Sequence, residues 1–251
     1  EGRNRRAATP RGRAFRRVLA TSGKHGNTLE GAQVSKTNKR AKAAPPRGRA
    51  GATTREKILV AALRVFAMRG FDGARTREIA ESAGANLGLI KYYFDGKENL
   101  WKAAVERAFE DLQAELGDAL VAREQGDERY QLEQVVRRFV RFLARNPAFM
   151  QLMNDEGKRR DPRMRWLADR FVRPFFEVVR SRVEAAQARG LLPEVSPVSV
   201  HYIVLGAAGL VFSEAAECEY VTGTDPTAES FAEAHADTVV RLLLGAPPAP
   251  S

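Results

Sequence analysis

One cysteine, three histidines and two tryptophans in 251 residues leave little of the chemistry those side chains serve. A lone Cys218 excludes an intrachain disulfide and any multi-cysteine zinc site, and fits a reducing, cytoplasmic setting. It stands between Glu217 and Glu219, neighbours that disfavour its thiolate, so it does not read as a redox sensor. His201 and His235 have no third metal ligand within sequence reach and read as packed or hydrogen-bonded side chains. Long apolar runs are missing as well. The longest uncharged stretch, 195–213, includes Ser196, Pro197, Ser199 and His201, leaving about eleven apolar residues where a membrane span needs ~20. No apolar segment of signal-peptide type precedes the rest. No alternating strand pattern, Walker loop, dinucleotide fingerprint or Ser-His-Asp order is present. These absences predict an all-α protein that is not an enzyme, carries no cofactor or metal and has no membrane partner.

What is present is charge, unevenly spread. The net charge of +10 is concentrated in residues 1–52, where fourteen Lys or Arg face two acids (Glu1 and Glu30), a net of +12. Residues 53–107 carry +3 and residues 108–251 carry −5. The basicity therefore points to a polyanion at the N-terminal end and away from one at the other. Residues 1–51 show no helical or strand period and are rich in Arg, Lys, Ala, Gly and Pro, which predicts a disordered basic tail. Three readings of that tail stay open: a solvated extension, a salt-sensitive phosphate-binding arm, or an organellar transit peptide. The sequence begins at Glu1 rather than Met, so the true start is itself open.

From Thr54 the pattern turns helical. Ile58, Ala62, Val65 and Phe66 share one face, with Arg55, Lys57, Arg64 and Arg69 mostly off it. Gly70 offers a left-handed stop and Phe71 an apolar anchor. A second short helix is expected with Thr76 as its cap and Ile79, Ala80 and Ala83 inward. Gly84 breaks the chain, Asn86 caps a third helix over 87–94, and Asp95 with Glu98 has the spacing of a capping box for a fourth. Two short helices joined at a glycine form a helix-turn-helix, whose second helix lies in the DNA major groove. There Ile90 and Phe94 point inward while Gly88, Lys91 and Tyr92 face out. Gly88 permits close backbone approach, Lys91 can donate to guanine, and Tyr92 offers a ring edge and a hydroxyl. Tyr93 and Lys97 flank the helix end, where they can hold phosphates. A small three-helix bundle with a few surface cations is the bland alternative on pattern alone.

The run from Thr54 to Phe71 resembles the first helix of TetR-type transcriptional regulators. Residues 76–84 (TREIAESAG) resemble their second helix, and 86–100 (NLGLIKYYFDGKENL) their recognition helix and the start of the fourth. The resemblance implies that Thr76, Arg77, Asn86, Tyr93 and Lys97 hold the DNA backbone. It also implies that Leu87, Gly88, Lys91 and Tyr92 face the bases. Three positions depart from the family pattern: Lys91 replaces an aromatic, Leu87 a basic or polar residue, and Tyr93 a histidine. Base preference is therefore not inherited, and Leu87 either packs or reads.

Beyond residue 107 the pairs Asn146-Pro147, Asp161-Pro162, Ser196-Pro197 and Asp225-Pro226 announce helix starts, and Gly190 and Gly245 helix stops. Helices are expected near 98–123, 127–145, 147–157, 162–189, 197–217 and 226–244, with Pro174 kinking the long one. The expected organisation is a tail (1–51), a helix-turn-helix domain (52–112, motif 75–94) and a larger helical ligand-binding and dimerisation domain (113–251). Trp166, Phe171, Phe175, Phe176, Val179 and Val183 form an aromatic stripe that Phe149, Met150 and Met153 could face. A packed core explains the stripe. The resemblance implies instead an effector pocket lined by Phe149, Met150, Met153, Asn154, Trp166, Phe171, Phe175 and Val179, with Glu156 and Arg163 as further polar handles. It likewise implies a two-fold dimer through Ile203, Ala207, Leu210, Phe231, His235, Val239 and Leu242, with Gly206 and Gly209 admitting a second helix. A monomer whose last hairpin covers its own core is the alternative.

The leading expectation is a homodimeric, ligand-responsive repressor of a pseudo-palindromic operator in double-stranded DNA, released by a small apolar effector. A non-specific nucleic-acid binder acting through its tail, or a ligand-independent activator, stands beside it. An enzyme lacks any supporting motif.

Overall fold

The computed structural model describes residues 53–121 and 128–245. The basic segment 1–52, with every reading attached to it, lies outside the described residues. All described elements are helical.

Helix α1 (Thr54–Gly73) starts on a reciprocal cap. The Thr53 hydroxyl accepts the Glu56 N–H at 3.3 Å, and the Glu56 carboxylate accepts the Thr53 N–H at 2.8 Å. Its inward face is the expected one, with Ile58, Ala62, Val65 and Phe66 buried. Gly70 takes a positive φ of 66° and kinks the helix without ending it; a further turn carries Phe71 back to stack on Phe66 at 5.9 Å. Helix α2 (Thr76–Ser82) has Arg75 at its cap position and no side-chain cap, so Thr76 is the first helical residue rather than the cap. Helix α3 (Leu87–Phe94) has the expected ends, with the Asn86 side chain accepting the Gly88 N–H at 2.8 Å. Asp95 does not open the next helix. It closes α3 in a left-handed conformation (φ 59°) and takes the Lys91 ammonium, while Glu98 pairs with Lys102.

Helix α4 (Lys97–Val121) belongs to both halves of the core. Leu100, Trp101, Ala104, Val105, Ala108, Phe109, Leu112 and Leu116 form a buried stripe at helical spacing. It packs with α1, α3 and α5 (Glu128–Arg145), and its Phe109 ring meets Phe149 of α6 (Pro147–Gly157). At α6, proline takes the first turn as expected, but the Asn146 amide donates backwards to the Phe142 carbonyl (2.9 Å) instead of capping. Asp161 does cap α7 (Pro162–Leu167), accepting the Met164 N–H at 2.9 Å.

The expected long helix 162–189 is in three pieces. A π-helical turn, 168–172, separates α7 from α8 (Arg173–Ala188), and the Arg173 N–H reaches the Ala168 carbonyl five residues back. Pro174 lacks the N–H that an unbroken α-helix would use, so the widened turn precedes it. The expected helix 197–217 is also broken. α9 (Pro197–Ser213) turns through 72° into α10 (Ala215–Thr222). The last helix, α11 (Glu229–Leu244), begins three residues after Pro226, because Asp225 is occupied by Thr227. α11 closes the body against α5. Arg141 holds Glu233 in a two-point pair, Arg137 holds Asp237, and Arg129 donates to the carbonyls of Leu244 and Gly245 at 2.7 and 2.6 Å. Charged donors at a helix C-terminus satisfy its open carbonyls and its dipole together.

Candidate DNA-binding surface and its coupling to the body

The face of α3 divides by period. Ile90 and Phe94 enter the core, while Leu87, Gly88, Lys91, Tyr92 and Tyr93 stand out of it. Leu87 is 42 % exposed and Tyr92 66 %, so neither is taken up by the fold. The Tyr92 and Tyr93 rings meet edge to face at 5.1 Å, which sets both hydroxyl-bearing rings beside Lys91. The bond from Lys91 holds the Asp95 carboxyl below its ordinary range. Arg77 and Asn86 are exposed and Thr76 half-buried, flanking α3 on the α2 side. A Cβ at Gly88 would meet the Asn86 side-chain Oδ1 at 3.2 Å, so glycine keeps the cap close to the backbone. Lys97 is turned inward: its ammonium donates to the Asp72 carbonyl at 3.2 Å and lies 4.8 Å from the Phe71 ring centroid. Helix α3 is braced from α1 by Arg55, 5.4 Å over the Phe94 ring. The result is a rigid, convex, hydroxyl- and amine-bearing helix suited to a groove lined with acceptors.

A junction that sequence reading did not resolve joins this unit to the body. Arg163 of α7 lies 4.2 Å over the Phe71 ring and 3.3 Å from both carboxylate oxygens of Glu156. Glu156 is buried, which pushes its pKa up against the opposing pull of Arg163. Asp72 pairs with Arg159 at 3.4 Å, and α6 approaches Gly70 closely enough that Asp155 and Arg159 bound the space a side chain would need. The signal in the sequence was the basic run Lys158, Arg159, Arg160 beside Arg163 and Arg165, which no helical period explains.

Three of the residues expected to line an effector pocket, Phe149, Trp166 and Phe171, pack into one aromatic layer with Phe109 and Phe142. Phe149 meets Phe109 at 5.1 Å and Phe142 at 5.3 Å; Phe171 stacks on Phe109 at 4.5 Å and meets Trp166 at 5.5 Å. Phe149 and Met150 are buried, and Met153, Asn154, Trp166, Phe171, Phe175 and Val179 half-buried. Phe175 and Phe176 contact His201, whose imidazole pKa is lowered by burial. Of the two concavities described, one of about 620 Å³ lies beside Trp166, and one of about 350 Å³ follows the α9–α10 elbow past Gly206, Leu210 and Cys218.

The residues expected at a dimer face divide. Ile203, Leu210 and Leu242 are exposed and Ala207 half-buried. Phe231 and His235 stack on each other and meet Phe212, and the His235 ring donates to the Ala207 carbonyl at 2.7 Å. Val239 is buried in the protomer's own core, so it does not belong to an outward face. Gly209 admits Leu143 and Met150 of the same chain, whereas Gly206 is open. No single helix among the described residues is long and apolar enough to cross a membrane; α9 and α10 reach that length only across their bend.

Comparison with known proteins gives two family matches. Residues 58–104 match "Bacterial regulatory proteins, tetR family", and residues 129–243 match "Tetracyclin repressor-like, C-terminal domain". The HTH-type transcriptional repressor NicS of Pseudomonas putida is 29 % identical over 160 residues, covering 61 % of this chain and 73 % of NicS. The probable HTH-type regulator YttP of Bacillus subtilis is 41 % identical over 58 residues, 23 % of this chain and 28 % of YttP. Among solved structures, AibR in complex with isovaleryl coenzyme A and operator DNA shares the fold with a TM-score of 0.62 at 17 % identity, covering 77 % of this chain and 99 % of AibR. The fatty acid degradation regulator FadR from Bacillus halodurans does so with 0.57 at 18 %, covering 76 % and 98 %.

Proposed function

Because the chain belongs to the tetR family of bacterial regulatory proteins and is a DNA-binding transcriptional regulator, we propose that it acts as a homodimeric repressor released by a small-molecule effector. The observation that carries this reading is α3 itself: a capped helix anchored by Ile90 and Phe94 that leaves Lys91, Tyr92 and Tyr93 exposed on its outer face. In the proposed complex Leu87, Gly88, Lys91 and Tyr92 meet base edges. Thr76, Arg77, Asn86 and Tyr93 hold phosphates. Lys97 sets the start of α4 through the Asp72 carbonyl and Phe71, and meets phosphate only if it lets go of them.

Pairing of two protomers through Ile203, Gly206, Leu210 and Leu242 would present two α3 helices to successive turns of a duplex. The effector acts by favouring a body conformation in which the two helices no longer fit those turns, and only as strongly as it prefers that conformation. The domain division at 112/113 and a cytoplasmic setting belong to the same proposal.

The test is selection from random duplex DNA by the full chain at near-physiological salt, repeated with Lys91→Ala and Tyr92→Ala. A two-fold-symmetric motif is expected, and each variant should weaken it by about tenfold or more while leaving non-specific binding in place. Unselective binding that survives both variants but not removal of residues 1–52 would replace this reading with a tail-driven nucleic-acid binder.

A further inference from the structure

We propose that the concavity beside Trp166 is a site for a small organic anion bearing a planar ring, and that its occupancy reaches the helix-turn-helix unit through Arg163 and Phe71. This rests on the reading of the chain as an effector-controlled regulator, and it replaces the apolar stripe as the effector's location. The space, about 620 Å³ and open to solvent, is bounded by Arg160, Asp161, Arg165, Trp166, Asp169 and Arg170. Its volume is that of a small-molecule site.

The charges around it are not balanced. Asp161 is used by the Met164 N–H and lies 3.2 Å from Arg163; Asp169 lies 3.1 Å from Arg173; Arg170 is held by Glu106 at 3.1 Å. Arg160 and Arg165 are exposed and have no carboxylate partner among the described residues. Two unpaired guanidinium groups on the rim of one concavity offer the planar fork that carboxylates, sulfonates and phosphates accept. The Trp166 indole is half-buried: Trp101 at 5.6 Å and Phe171 at 5.5 Å pack against it, the Lys102 ammonium lies 5.8 Å from its ring centroid, and it borders the space. An indole left facing a basic concavity favours a flat ring that carries negative charge. A duplex is convex and reads protruding side chains, so the concave shape favours a small ligand over DNA phosphate.

The route to the DNA-binding unit is short. Trp166 packs on Trp101 of α4, and Arg163, one turn earlier in α7, sits on Phe71. Helix α7 is six residues long, held between the Asp161 cap and the π-helical turn. One buried donor at this junction, Trp101 Nε1, lacks a hydrogen-bond acceptor, while Arg163 Nη2 lies 3.2 Å from Asp161 Oδ2 as an ion pair. A buried unpaired donor is unfavourable, so a shifted α7 that brings it an acceptor has free energy to gain.

The test uses the full chain without DNA, titrated by calorimetry with 1-naphthoate, with neutral 1-naphthalenemethanol and with inorganic phosphate. Naphthoate should saturate one site per chain, about tenfold or more tighter than the neutral alcohol and tighter than phosphate. The double variant Arg160→Ala/Arg165→Ala should bring naphthoate to the level of the alcohol, with an unchanged circular dichroism spectrum. Equal binding of acid and alcohol, or an unchanged double variant, overturns the proposal. So does a double variant that loses affinity for DNA of any sequence while the parent binds no naphthoate, because the arginines would then serve the duplex. A chain that binds naphthoate as stated but selects no DNA motif would keep the anion site and lose the regulatory reading.

Discussion

The Arg163 guanidinium lies over the Phe71 ring, 4.2 Å from its centroid, while both oxygens of the buried Glu156 take its Nε–H at 3.3 Å. One side chain thus neutralises a buried carboxylate of α6 and covers an aromatic ring of the DNA-binding unit. Removing it strands Glu156. Arg163→Ala should destabilise the protein by about 3–5 kcal/mol, the usual loss when one member of a buried pair is deleted. Arg163→Ala/Glu156→Gln should regain part of that, because the second change removes the stranded charge. Urea unfolding midpoints of the two variants check this, and equal midpoints would show that the pair is not the source of the loss.

Two glycines three residues apart on α9 should respond oppositely. A Cβ on Gly209 would stand 2.9 Å from Leu143 and 3.2 Å from the Met150 sulfur, so Gly209→Ala should cost about 1–3 kcal/mol by overpacking. Gly206 has nothing within 4 Å, and Gly206→Ala should stabilise the isolated protomer by up to about 1 kcal/mol through helix propensity. Thermal melts at low protein concentration separate the two.

His201 sits among Phe175, Phe176 and Tyr202, and burial lowers its pKa. A histidine whose folded pKa is below its unfolded one contributes nothing against folding above the unfolded value, about 6.5. As pH falls below that value the unfolded chain takes up the proton first, so stability is lost. Between pH 7.5 and 5.5 the parent should therefore lose more stability than His201→Asn. Melting temperatures at the two pH values give the difference, and parallel losses would remove His201 as its cause.

If Ile203 and Leu242 belong to a pairing face, a charge on each should separate the protomers without unfolding them, since both are exposed within the protomer. Ile203→Glu/Leu242→Glu should sediment as a monomer with an unchanged melting transition at low concentration. A parent that is itself monomeric at micromolar concentration would place the apolar residues of α9 and α11 outside any dimer.

The parts legible in the sequence were those set by local chemistry. Asn86 and the Ile90/Phe94 period define α3 to the residue, and proline at 147, 162 and 197 marks three helix starts. The break after Ser213 was not legible, and one partner at the break is distant: the Gln151 amide donates to the Ser213 carbonyl at 3.2 Å, sixty-two residues away. The aromatic stripe had a correct period but an undetermined partner, and its rings turned out to fill one another's space. The inner and outer faces of α3 were readable from its period, whereas the turn of Lys97 onto Phe71 and the Arg163 junction required knowing what lies over that ring.

The ties between α5 and α11 also set an order of events during synthesis. Arg137 and Asp237 are 100 residues apart, and Arg129 and Gly245 are 116 apart, so the side of α5 that faces α11 stays open until residues 229–245 have been made. By contrast, α1 to α3 and the first turns of α4 are contiguous and can assemble as they leave the ribosome. At about 5–20 residues per second, that side of α5 stays uncovered for several seconds. A message truncated before residue 229 would leave that side permanently open. Such a product is a substrate for chaperones and proteases rather than a shorter regulator.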